Sequence, residues 1–207
     1  MKLITIALFA LSVTTASAQS ANQPPLPAAF QKKLDDGKLI FIKPQGAVEV
    51  PIMDKPSPAY QYALKVANKN VEVRYLIMPL TKDLFDAYDK RINLHGDDTV
   101  IFPNNLYKRL PAIIYCKIAE GKLYIDRIKL QPMKPKDQGA DDGFMFAGPV
   151  GPTFGQKYTF GFYAMMHKDF LADVYIFYLF ESEATMLSLI ADLLKSSDII
   201  GSIKFKN

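Results

Sequence analysis

Two runs near the middle of the chain alternate apolar with polar or smaller residues. In Ala59–Ala67 the apolar positions are Tyr60, Tyr62, Leu64 and Val66; in Val71–Met78 they are Val71, Val73, Tyr75 and Ile77, with Glu72 and Arg74 between them. A period of two sends alternate side chains to opposite faces, so each run predicts a half-buried strand. Asn68-Lys69-Asn70 between them has turn chemistry, and the pair predicts a hairpin. The period then lengthens. Leu84, Phe85, Tyr88 and Ile92 share one helical face, with Asp86, Asp89, Lys90 and Arg91 on others. Thr81 stands at the N-cap position and Asp83 in the first turn, so 82–94 is expected to be an amphipathic helix packed on the sheet and closed by Gly96.

The same reading extends outwards. Lys38–Lys43 and Ala47–Pro51 predict short strands, after a helical turn at Phe30–Leu34 and the turn dipeptide Asp36-Gly37. Asn105–Leu110 predicts a helical turn stopped by Pro111, and Ala112–Ala119 and Lys122–Leu130 predict strands joined by Glu120-Gly121, the second with a bulge. Gln131–Gly143 reads as a polar loop. Phe144–Ala147, Tyr158–Met166 and Val174–Phe180 are rich in aromatic and β-branched residues and predict strands. Glu181-Ser182-Glu183 caps a helix over Ala184–Lys195 with the stripe Met186, Leu187, Ile190, Leu193 and Leu194, and Ser202–Lys206 predicts a last edge strand. Strands, a hairpin and flanking helices in this order predict an α+β fold: an antiparallel β-sheet flanked by helices.

The N-terminus breaks this pattern. Lys2 is followed by the apolar run Leu3–Leu11 and then by Ala16-Ser17-Ala18, the three parts of a cleavable secretory signal. The run is shorter than the roughly 20 apolar residues that span a bilayer. Residues 1–18 are therefore expected to be a signal peptide, with no transmembrane anchor after cleavage and no cysteine at the cleavage site to carry a lipid. Residues 19–37, with Pro24, Pro25 and Pro27, are expected to be a flexible leader, and 38–207 a single globular domain. The expected address is the periplasm or the outside of the cell.

Composition narrows the function classes. The chain of 207 residues is 49% hydrophobic and 22% charged, which fits a folded domain. A net charge of +4, spread along the sequence, does not suggest nucleic-acid binding. Cys116 is the one cysteine, so no internal disulfide can form, and its apolar surroundings read as those of a buried thiol.

Candidate chemistry is sparse. His95-Gly96-Asp97-Asp98 offers too few ligands for a metal. His167-Lys168-Asp169 marks a hairpin turn where a His near an Asp forms at most a pH-sensitive pair. Asp137, Asp141 and Asp142 lack the alternate-residue spacing of a calcium loop. Gly148-Pro149-Val150-Gly151-Pro152 lacks the Lys and helix of a phosphate loop and reads as a rigid exposed turn that a partner can engage. Glu72 and Arg74 are expected to pair across strands, for at most about 1 kcal/mol. No catalytic, cofactor-binding or metal residue is assigned, and no cofactor is expected.

Three segments carry a resemblance: Val71–Ile77, the Tyr158–Met166 strand leading through His167-Lys168-Asp169 into Asp173–Phe177, and the terminal helix followed by Gly201–Phe205. Together over residues 38–206 they resemble the Mog1/PsbP-like fold family, and in fold class the flagellar-coiling proteins of spirochaete periplasmic filaments. The resemblance implies an α/β/α sandwich. It implies a non-enzymatic structural or adaptor protein of the cell envelope acting through protein–protein contacts, with filament proteins among the partners and a periplasmic filament or sheath subunit as the sharpest form. A periplasmic small-molecule or lipid carrier and a hydrolase with a non-standard site stand as alternatives. No shared site motif allows a binding residue to be carried over.

Overall fold

The computed structural model describes residues 25–66, 69–95, 100–122, 128–133, 135–195 and 201–206. The expected signal peptide lies outside the described residues, as do the start of the leader, most of the Lys122–Leu130 strand and the His95–Asp98 side chains.

The hairpin reading holds. β3 (Tyr62–Val66) pairs antiparallel with β4 (Val71–Pro79), with Tyr62 opposite Tyr75 and Val66 opposite Val71. Around it stand β2 (Ala47–Glu49), β5 (Gln131–Met133), β6 (Asp142–Pro149), β7 (Phe160–Lys168) and β8 (Ala172–Phe180). They form a seven-stranded sheet in the order β2-β3-β4-β8-β7-β6-β5, with every described pairing antiparallel. The fold is α+β, as its alternating strands and flanking helices imply. β1 (Leu39–Phe41) and β9 (Ile203–Phe205) form a separate two-stranded ribbon, with Ile40 opposite Lys204.

The central strands are buried on both faces, which alternation alone does not reveal. From β4 and β8, Val73, Tyr75, Ile77, Val174, Ile176 and Tyr178 enter one core, covered by the β1–β9 ribbon, by α1 (Ala28–Asp36) and by α5 (Glu183–Lys195). Leu76, Tyr163, Met165, Tyr175, Phe177 and Leu179 enter a second core on the opposite face. That face is covered by a 3₁₀ turn at Pro103–Lys108, by α3 (Leu110–Ala119) and by the short α4 (Pro152–Gly155). Burying apolar area on two faces is how a chain without a disulfide stabilises a broad sheet.

Several expectations are corrected. The leader is not flexible to residue 37: Phe30 and Leu34 of α1 are buried, and Phe30 stacks on Tyr62 at 4.5 Å between ring centroids. Ala112–Ala119 is not a strand. Pro111 lies in the first turn of α3, where its missing N–H costs nothing, and Pro111, Ile114, Tyr115, Ile118 and Ala119 form one buried helical face. Cys116 on that helix is half-buried rather than fully enclosed. The Gly148–Pro152 turn is not exposed along its length: Gly148, Val150 and Gly151 are buried. A Cβ on Gly151 would stand 2.6 Å or less from the Glu120 side chain. Finally, the second helix, α2 (Lys82–His95), starts where expected and runs one residue further, but does not pack on the sheet. Its Phe85 and Tyr88 lie against Phe102 at 5.6 and 5.3 Å, and most of its described surface is open to solvent. The polar loop Gln131–Gly143 contains β5 and a 3₁₀ turn at Lys136–Gln138.

Candidate functional site

The chemistry-bearing side chains collect on the second face of the sheet, at its two ends. One end is the tip of the β7–β8 hairpin. A three-residue loop, Asp169–Leu171, sets Lys168 opposite Ala172 and therefore His167 opposite Asp173. Both side chains are 1% exposed. The imidazole Nδ1 lies 2.6 Å from Asp173 Oδ1, and Nε2 lies 2.9 Å from Asp169 Oδ1. With a carboxyl oxygen facing each ring nitrogen, the imidazolium form can donate from both. Burial pulls the His167 pKa down, but the hydrogen bonds and charges of Asp173 and Asp169 outweigh it and the pKa stands above its ordinary value. Burial pushes the Asp173 carboxyl up, with His167 pulling it part of the way back.

Neighbouring elements brace this cluster. The Tyr107 ring stacks on His167 at 3.9 Å and 11°. Its hydroxyl donates to Asp142 Oδ2 at 3.0 Å, and burial followed by that bond raises its pKa to about 12. Asp141 Oδ2 accepts the Asp169 N–H at 3.0 Å, and the Lys168 ammonium donates to the Gly139 carbonyl at 2.6 Å. Asp141 and Asp142 thus serve different partners, while Asp137 stays exposed. Among the described residues no group of three His, Cys, Asp or Glu side chains is placed to hold a metal.

What the tip presents is Phe170. Its side chain is 61% exposed, its backbone has φ of 60°, and its N–H donates to Oδ1 of the buried Asn104 at 2.9 Å. Phe85 of α2 lies 5.5 Å from the Phe170 ring. A large apolar side chain is therefore held out on a backbone fixed from several sides.

At the other end, the buried Arg74 guanidinium donates to Glu72 Oε1 from Nε at 2.7 Å, has Nη2 in ion-pair contact with the same oxygen at 2.7 Å, and donates from Nη1 to the Phe154 carbonyl. Its Cζ also lies 4.9 Å from the Tyr60 ring centroid and 4.7 Å from that of Phe154, two rings that meet edge to face. The expected cross-strand pair is instead a pair along one strand, and it is buried. Glu120, in the left-handed conformation after α3, accepts the Thr153 and Phe154 N–H groups and holds α4 in place. Arg74 and Glu120 together fasten the 150–158 segment to the sheet.

Between the two ends lie four buried tyrosine hydroxyls without a hydrogen-bond partner among the described residues: Tyr115, Tyr158, Tyr163 and Tyr175. The Tyr115 and Tyr163 rings stack at 4.7 Å.

No protein-family model matches the chain, and no curated protein matches it. Among solved structures it is similar to the solution structure of cyanobacterial PsbP (CyanoP) from Synechocystis sp. PCC 6803, with a TM-score of 0.46 and 9% identity over 82% of this chain and 88% of that one. A likeness of that size concerns the path of the chain and carries nothing about the site.

Of the residues singled out in the sequence, His167 and Asp169 are brought together. Asp173, the closer partner, was missed. Its signal was present: with a three-residue loop, antiparallel register sets 167 opposite 173.

Proposed function

We propose that the chain is an exported, non-catalytic structural or adaptor protein of the bacterial cell envelope that works through protein–protein contacts, a periplasmic filament or sheath subunit being the sharpest form of that reading. The observation that carries it is Phe170, an exposed aromatic side chain on a hairpin tip braced by Asn104, Asp141 and the His167 cluster. A rigid aromatic anchor loses little conformational freedom on binding and is the kind of residue around which interface energy concentrates. The reading is also supported by how the ionisable groups are used: both His167 ring nitrogens are engaged by carboxylates, and Arg74 and Glu120 act as internal clasps. Affinity capture from cross-linked envelope fractions tests it, comparing the full chain with Phe170→Ala. A specific partner should be retained by the first and weakened about 30-fold or more in the second, with unchanged circular dichroism. Equal capture by both would overturn the assignment to this tip. Cell fractionation with N-terminal sequencing tests the address, the expected mature terminus being Gln19.

The carrier reading keeps one support, the four inward tyrosine hydroxyls, which a bound polar molecule would satisfy. Native mass spectrometry of protein purified from its own compartment separates the two: a stoichiometric small-molecule adduct favours the carrier.

A further inference from the structure

From the outer face of the β1–β9 ribbon, which the proposed function does not use, we infer that the protein docks on anionic bilayer surfaces. Leu39, Phe41, Ile203 and Phe205 point inward and pack in or against the first core. By the period of two, the intervening positions point away from it: Lys38, Ile40 and Ile42 along β1 and its flanks, Lys204 and Lys206 along β9. Their exposures agree. Ile40 and Ile42 are 44% and 59% exposed, Lys38 and Lys206 are exposed, and Lys204 is partly so. The register sets Ile40 directly against Lys204, and the Lys206 N–H bonds the Lys38 carbonyl, so apolar and cationic side chains interleave across both strands. None of these outward positions is acidic. Around the ribbon, α1 and the chain after β1 add Lys32, Lys33 and Lys43 against Asp35 and Asp36, with Lys32 paired to Asp36, while the 3₁₀ turn beside β9 carries Lys136 with Asp137 and α5 carries Glu183. A net charge that looks diffuse along the sequence is thus gathered in space.

The chemistry of this face selects its occupant. Isoleucine side chains standing among flexible lysines suit the boundary between acyl chains and headgroups: the isoleucines enter the apolar edge while the ammonium groups reach phosphates. A folded acidic protein would be expected to meet an aromatic or arginine anchor in a pocket, and the ribbon face offers neither.

Cosedimentation of the mature protein with vesicles tests this. Vesicles of phosphatidylglycerol and phosphatidylcholine should bind it, and vesicles of phosphatidylcholine alone should not. Binding should fall steeply as salt rises towards about 1 M, where screening acts over about 3 Å. Lys204→Gln and Lys206→Gln should each weaken partitioning about fivefold. The pair Ile40→Ser, Ile42→Ser should weaken it further without changing the salt dependence, while Lys55→Gln, in the segment whose Val50 and Met53 pack on the opposite core, should leave it unchanged. Equal binding to neutral vesicles, no binding to anionic ones, or ribbon variants that bind like the parent would each overturn the inference. So would unaltered binding of the isoleucine pair together with equally tight binding to soluble polyglutamate, which would mark a site for acidic chains instead.

Discussion

Replacing Glu72 by glutamine changes one oxygen to an amide and removes one charge, with almost no change in volume. In the folded protein Arg74 is 1% exposed and Glu72 6%. Glu72 Oε1 accepts the guanidinium Nε–H at 2.7 Å and lies 2.7 Å from Nη2. What remains around Arg74 after the substitution is the Phe154 carbonyl and the Tyr60 and Phe154 ring faces, which stabilise a cation but do not neutralise it. A unit pair about 4 Å apart is worth about 4 kcal/mol at an effective dielectric of about 20, and losing one partner of a buried pair typically costs about 3–5 kcal/mol. That is several times the value expected for an exposed pair. Equilibrium urea unfolding reads it directly: with a slope of about 2 kcal/mol per molar, the midpoint should fall by about 1.5–2.5 M at unchanged slope. The double variant Glu72→Leu, Arg74→Met removes both charges and should recover most of the loss, because two apolar side chains of similar size need no compensation. A loss below about 1 kcal/mol for Glu72→Gln, or a double variant as unstable as the single one, would show that water reaches the pair and that the burial argument is wrong.

Three further outcomes are expected. The raised pKa of His167 contributes stability that is complete below the unfolded value near 6.5 and is lost as pH rises through the folded value. Urea midpoints should therefore decline above about pH 6.5 in the parent and show a flatter profile in His167→Gln, with the C2-proton shift of His167 titrating above 6.5. A Cβ on Gly161 would stand 2.5 Å from the Tyr163 hydroxyl oxygen, so Gly161→Ala should displace that ring from Tyr115, costing about 1–3 kcal/mol with an altered near-ultraviolet dichroism. Tyr163→Phe removes a buried hydroxyl that has no partner among the described residues, and thermal unfolding should show it neutral or more stable by about 1 kcal/mol.

Long stretches with one clear period were legible in the chain. The β3–β4 hairpin, the strands around Tyr163 and Ile176, and helix α2 appear within a few residues of where their patterns set them, because side-chain direction is a local property of the backbone. Ala112–Ala119 was not legible: a short apolar run satisfies a buried strand and a buried helix equally, and only Pro111 in a first turn, with a second core waiting beneath it, selects the helix. At the candidate site the turn through His167 and Asp169 could be read, but Phe170 as a presented anchor could not. Its exposure depends on Asn104 and Phe85, which come from elements far away along the chain.

By itself, then, the sequence determined most of the elements with a long clear period, the β3–β4 hairpin and the α+β class, and its N-terminal pattern is what the proposed address rests on. Tertiary structure alone decided that Val73 and Arg74, neighbours on one strand, enter different cores. It decided that Glu72 and Arg74 are enclosed rather than solvated, that His167 lies against Asp173, and that lysines from both ends of the domain meet on one ribbon. Periodicity reports which face a side chain takes. It does not report what covers that face, because the covering layer, and with it the local dielectric and the partner charges, is supplied by segments distant in sequence.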